Sequence, residues 1–455
     1  MTKGTKKKFW YFLDHLAGDK VVWMILLMLM LLSIVFIFSS SSRLTTENTT
    51  RLDIMIDHIK VVGLGLTLVI FIYNIKDIEF FRKCSRFGFW ISFILLLLLY
   101  FIGDEVNGAV RFITIAGFQI HVFEIVKVAM MMYIAWAIDA LENNRTLLVE
   151  NIPFLKGKLK FLKKPVVRQV LMLYFPFIAT IPLVMHGSNS AALFISVIMI
   201  ITIAVGTNEI KRSLILTAIL VTLITGAYCI YSNTKNTSHP RFERIGTALG
   251  RIFPGNPEKE YKLADNAIDK QKALDKLRQP FSAKLAIKQG GILGKGPGQS
   301  TQRYVVPDMS EDYMFSFIVE EYGLLSFFVV MLYLSLLARG TLIIKSCTNN
   351  LFAKSAIFGL VILISGQAFL HIAVNMDWIL TGQTLPMLSH GSFAFICFSI
   401  AFGIILSISR IANKGMAKLS KEAAPILETE PSAKDNISEG LSDLDNFETD
   451  GIQTN

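Results

Sequence analysis

Five carboxylates, Asp308, Glu311, Asp312, Glu320 and Glu321, stand in the otherwise apolar stretch VVPDMSEDYMFSFIVEEYG, residues 305–323. A carboxylate at the start of a helix is stabilised as an anion and, within reach of a hydroxyl, can take its proton. Pro307 ends any earlier helix and Ser310 is the expected N-cap of one that begins near 313, which places Asp312 in its first turn. Capping in water accounts for Asp308, Glu311 and Asp312 as readily as catalysis does. Glu320 and Glu321 lie about two turns further in, where an ionised side chain is costly and faces a cavity or a partner.

Positive charge recurs in other apolar segments. Glu124 and Lys127 are three residues apart on one helical face, Arg111 precedes them in NGAVRFITIAGFQIHVFEIVK, and His58 and Lys60 open another apolar run. Together they outline a polar cavity lined by both signs of charge, with a structural ion-pair network as the alternative. The stretch KQGGILGKGPGQS, residues 288–300, lacks a Gly-Lys followed by Ser or Thr, and G-x-G-x-x-G fails because residue 299 is Gln, so it is not a nucleotide loop. What remains at Gly294, Gly296, Gly298 and Ser300 is a tight backbone able to approach an anion or another chain closely. Cys84, Cys229, Cys347 and Cys397 show no CxxC spacing, so neither a disulfide nor a zinc site is implied.

The elements that must position these groups are membrane spans. Hydrophobic residues make up 53% of the 455 residues and mean hydropathy is positive, which excludes an ordinary soluble domain. Apolar runs long enough to cross about 30 Å of hydrocarbon fall near 21–38, 59–75, 87–102, 117–138, 169–185, 190–206, 213–231, 313–337, 355–376 and 391–409. The expected fold is an all-α polytopic membrane protein of about ten transmembrane helices. Lys and Arg collect in the N-terminus and in alternate loops, so both termini face the cytoplasm. The net charge of +10 then reflects topology and requires no nucleic acid. The first span has no A-x-A cleavage site and is read as a retained anchor. The chain divides into a cytoplasmic N-terminus (1–20), seven spans (21–231), a large extracytoplasmic loop (232–312), three spans (313–410) and a disordered acidic tail (411–455). Within the loop, residues 262–278 read as a basic amphipathic helix suited to an anionic leaflet or to solvent.

Five segments, in order, resemble the SEDS (shape, elongation, division and sporulation) family of polytopic glycosyltransferases: GDKVVWMILLMLMLLSIVFIFSSSS; NGAVRFITI with Glu124 and Lys127; RFERI at 241–245; GGILGKGPGQS running into VPDMSEDYMFSFIVEEYG; and NMDWILTGQTLPMLSHGSFA at 375–394. The first and third favour the division branch over the rod-elongation branch. The chain departs from the family at Phe112, at His121-Val122-Phe123, in MHGSNSA around Gly187, and at His390 and Ser392.

The resemblance implies polymerisation of lipid II during septal cell-wall synthesis, in the bacterial inner membrane. Asp312 is then the general base and undecaprenyl pyrophosphate the leaving group. Arg111, Lys127, Arg244 and a divalent cation (Mg or Mn) would meet the pyrophosphate, and Glu124, Gly294, Gly296, Gly298, Ser300, Glu320 and Ser389 complete the implied substrate-binding set. The implied partners are a class B penicillin-binding protein transpeptidase and other divisome membrane proteins. A lipid II flippase, or a non-catalytic division scaffold, is the alternative reading.

Overall fold

In the computed structural model, residues 18–41, 50–106, 109–115, 118–143, 164–207, 210–233, 267–306, 309–347, 350–378 and 382–429 are described; side chains at 105–109, 115–118, 227–277 and 416–429 are not. Arg244 and Asp308 lie outside the described residues.

The helices in order are α1 (Lys20–Ser40), α2 (Arg51–Tyr73), α3 (Ile78–Ser85), α4 (Gly88–Ile102), α5 (Val122–Glu142), α6 (Pro165–Gly187, with a π turn at Val170–Tyr174), α7 (Asn189–Thr207), α8 (Ile210–Asn233), α9 (Ala267–Gly290), α10 (Met314–Tyr322), α11 (Phe327–Ser346), α12 (Leu351–Asn375) and α13 (Ser392–Thr429). Several starts are written in the sequence. Asp19 Oδ1 accepts from Val21 N (2.9 Å) and Val22 N (3.1 Å) to cap α1, Thr50 and Asp53 form a capping box on α2, and Asn350 Oδ1 accepts from Ala353 N (3.0 Å) on α12.

The fold is mostly helical, as expected. Among the described residues seven helices are long and apolar enough to span a membrane, eight if the bent pair α3–α4 is one span, against ten expected. α5 is a further helix of 21 residues whose charges are met inside the protein: Glu124 by Lys127, Asp139 by Arg82 and Glu142 by Arg212. Every residue from Met130 to Ala140 is buried, as befits a helix that is apolar all round.

The sequence expectation is corrected at four places. The apolar run expected as a span from 117 starts five residues later as a helix, at Val122, because Phe118–His121 is strand β3, antiparallel to β2 (Ala109–Ile115), which also pairs with β1 (Asp104–Val106). β-branched Val110, Ile113, Thr114 and Ile115 suit a pleated surface. The eighth span, expected as one run over 313–337, is broken into α10, a 3-10 turn at Gly323–Ser326 and α11. The loop helix, expected to end at 278, continues to Gly290; residues 262–266 of the expected stretch lie outside the described residues. Finally, α13 runs to Thr429, into the segment expected as tail, since Ala, Lys, Leu and Glu recur there and favour helix.

Charge sorts the two ends. At the end assigned to the cytoplasm, Arg339 Nη2 meets Asp19 Oδ2 (2.6 Å), Arg82 meets Asp139 (3.1 Å) and Arg410 donates to the Ile75 carbonyl (3.0 Å). The opposite end gathers Ser39, the glycine-rich loop, Asp312, Asn375 and Ser389.

Candidate active site

α12 is the strut of this end of the molecule. Gln367, His371 and Asn375 stand four residues apart on one face, all buried. His371 Nε2 faces the backbone N–H of Phe315 (3.2 Å) and Nδ1 faces the Gln383 carbonyl (2.7 Å). An amide must donate and a carbonyl must accept, so the two partners set a neutral ring with its proton on Nδ1. Asn375 Oδ1 accepts from Ser316 N and Oγ, both at 2.8 Å, while its Nδ2 donates to the carbonyls of Asp312 (3.1 Å) and His371 (2.8 Å).

The N-terminus of α10 is therefore capped by side chains of another helix. This corrects the expectation for Ser310, whose carbonyl instead accepts from His390 N (2.8 Å); α10 starts at Met314, so Asp312 stands two residues ahead of it and not in its first turn. Ser389 is buried and works as a clasp: its Oγ accepts from Leu385 N (2.8 Å) and donates to the Glu311 carbonyl (2.7 Å).

Asp312 is half-buried between the start of α10 and the loop that follows α12. A Cβ at Gly382 would lie 2.7 Å from Asp312 Oδ2, so a side chain there would have to push the carboxyl group aside. The next residue leads to the cation. Lys127, 1% exposed, donates to Glu124 Oε1 (2.7 Å), Gln367 Oε1 (2.8 Å) and Gln383 Oε1 (3.2 Å). Its three protons are thus all directed. Glu124 Oε2 is buried and takes no hydrogen bond among the described residues. One short loop, residues 382–384, consequently carries Asp312 on one side and the Glu124–Lys127 pair on the other.

Glu320, Ser300 and the glycines form a second cluster. Glu320, 0% exposed, accepts from Lys295 Nζ (2.6 Å), Ser300 Oγ (2.5 Å), and Thr301 N and Oγ1 (both 2.9 Å). Glu321 accepts from Ser39 Oγ (2.7 Å) and lies 3.5 Å from Arg303 Nη1. The loop's backbone follows the same helix: Lys295 N donates to the Glu320 carbonyl and Gly296 N to that of Glu321, each at 2.9 Å, while Gly298 N reaches Ser39 Oγ (3.2 Å). Gly294 (φ +72°) and Gly323 (φ +56°) sit back to back, and a Cβ on either would overlap the other's strand of backbone. Gly294 and Gly296 thus approach α10, while Gly298 approaches α1 at Ser39 and has open space beside it.

Arg111 is exposed on β2. His58 is buried against Ser33 Oγ (3.0 Å), and Lys60 pairs with Asp57 (2.7 Å) at the surface. Among the described residues no group of three or more His, Cys, Asp or Glu side chains converges as metal ligands do. Sequence reading missed His371 and Gln383; a polar residue every fourth position through an apolar span was the signal available for His371.

A helical membrane protein with a half-buried acid beside a buried acid–base pair is the class these features define. A family model described as cell cycle protein, FtsW/RodA/SpoVE, matches residues 19–414. The chain belongs to this family. A relative in Geobacter named probable peptidoglycan glycosyltransferase FtsW is 25% identical over 401 residues, 86% of this chain and 96% of its own length. One of the same name in Caulobacter vibrioides is 25% identical over 347 residues, 76% of each chain. The fold is shared with a chain from a peptidoglycan synthase complex that coordinates polymerization and crosslinking (TM-score 0.60, 17% identity, 87% of this chain and 99% of that one). It is shared too with the rod shape determining protein RodA of Thermus thermophilus (TM-score 0.54, 16% identity, 87% and 98%).

Proposed function

We propose that this protein is a peptidoglycan glycosyltransferase that polymerises lipid II into glycan strands, acting at the division septum. The observation that carries the reading is the mounting of Asp312: a half-buried carboxylate at the outward end, fixed by Asn375 and Gly382 and joined through Gln383 to Lys127. The names of the FtsW relatives support the same reaction.

In the reaction, the 4-hydroxyl of one sugar chain attacks the anomeric carbon of another. Asp312 takes the hydroxyl proton as the new carbon–oxygen bond forms. The bond from the anomeric carbon to the lipid pyrophosphate breaks, and the electron pair leaves with undecaprenyl pyrophosphate. Lys127, paired with Glu124 at 2.7 Å, supplies fixed positive charge near the site. Arg111 and Arg244 are the further cations proposed for the leaving group, and Glu124 Oε2 is an acceptor proposed for a sugar hydroxyl. No step is routed through a divalent cation.

A class B penicillin-binding protein would crosslink the product, and other divisome membrane proteins would complete the assembly; the coordination of polymerization with crosslinking in the complex of shared fold supports that pairing. The test is reconstitution with the partner and lipid II. Polymer should form with the wild-type chain and be lost with Asp312→Asn, at unchanged folding; undiminished polymer from the variant overturns the assignment.

A further inference from the structure

The loop that buries Glu320 and Glu321 also presents two large aliphatic side chains outward. Ile292 and Leu293 are 75% and 90% exposed, at the tip of a turn between Gly291 and Gly294, both with positive φ. They do not stand alone. Leu324 N donates to the Ile292 carbonyl (2.8 Å), and Leu324 and Leu325, each 67% exposed, lead directly into Phe328 and Met331 on the exposed side of α11.

Depth can be read from α1. Its 21 residues measure about 30 Å, the thickness of the hydrocarbon layer, from Asp19 at the inner end to Ser39 at the outer end. Gly298 N is bonded to Ser39 Oγ, so the glycine-rich loop sits at the outer boundary of the hydrocarbon. The tip is at the same level as the entry of α11 and continuous with its lipid-facing side. An exposed aliphatic pair in that position has one solvent that suits it.

We propose that the glycine-rich loop is a membrane anchor, its Ile292–Leu293 tip entering the outer leaflet beside the start of α11. Because the same loop bonds to the backbone and carboxylates of α10, the leaflet then fixes the height of α10, and with it Asp312, at the headgroup layer. The proposal does not depend on the reaction assigned to the site.

The experiment uses the full chain with Cys229 and the exposed Cys84 replaced by Ser, carrying one nitroxide label at Leu293→Cys, Lys288→Cys or Met331→Cys, in liposomes of phosphatidylethanolamine and phosphatidylglycerol. Met331, on α11, reports that the protein is inserted. Power saturation should show the Leu293 label colliding with oxygen several-fold more than with a water-soluble nickel chelate, as the Met331 label does, while the label at exposed Lys288 shows the reverse. A Leu293 label as accessible to nickel as the Lys288 label overturns the proposal. So does shielding that arises only when a penicillin-binding protein is added, which would make the tip a protein contact.

Discussion

Both ends of α10 carry carboxylates, and they are treated in opposite ways. At the C-terminal end Glu320 and Glu321 are enclosed by lysine, arginine, hydroxyl and amide donors. At the N-terminal end the main chain around Asp312 is gripped by Asn375, while the carboxyl group is set against a bare glycine. A carboxylate surrounded by donors is a fixture, since its lone pairs are spoken for. One whose backbone is clamped and whose side chain stays half-buried beside a bare glycine is within reach of a group that arrives from outside. The comparison separates acids that a sequence presents as a single crowd.

The contrast can be broken most directly by Asp312→Asn. Polymerisation should fall roughly 10²- to 10⁴-fold, the range supplied by a general base, with the melting temperature unchanged; a large loss of stability would place Asp312 with the fixtures. Glu320→Ala should do the reverse. It leaves Lys295 without its buried partner, a loss on the order of 3–5 kcal/mol, visible as a lowered melting midpoint in detergent and as protease cutting in the glycine-rich loop.

Gly382→Ala sharpens the comparison at the wall itself. A methyl group against Oδ2 should displace the carboxyl and lower kcat on the order of ten- to a hundredfold, with lipid II binding retained; a wild-type rate would show that the wall is not needed. The smallest effect belongs to Lys284→Ala. Lys284 pairs with Asp377 (2.5 Å) but is half in solvent, so its loss should cost about 1 kcal/mol or less and leave the rate alone.

Much of this was legible beforehand. The mostly helical, membrane-spanning architecture followed from apolar length, and the Glu124–Lys127 pair from a spacing of three, realised at 2.7 Å. The sheet was not legible, because Phe118–His121 alternates apolar and polar for only four residues, too few to establish a period of two beside the long apolar helix that follows. The break at Gly323 was hidden by the same continuity: Leu324, Leu325 and Phe327 extend the apolar run without pause. Glu320 was misjudged for a different reason. Its donors sit about twenty residues earlier, in a loop whose glycines resemble a ligand cradle, and nothing local says that the ligand is the protein's own helix. The capping of α10 was missed because sequence rules look for a cap beside the helix it serves.

That borrowed cap has a consequence for how the protein is made. Phe315 and Ser316 emerge from the ribosome 56 and 59 residues before His371 and Asn375. Until α12 has been synthesised and inserted, the leading amides of α10 lack their partners, and a nascent chain stopped at α11 holds Asp312 without the side chain that grips it. Assembly of the penultimate long helix is therefore the arming step: a truncated or stalled product can reach the membrane with its acid present and still be unable to aim it.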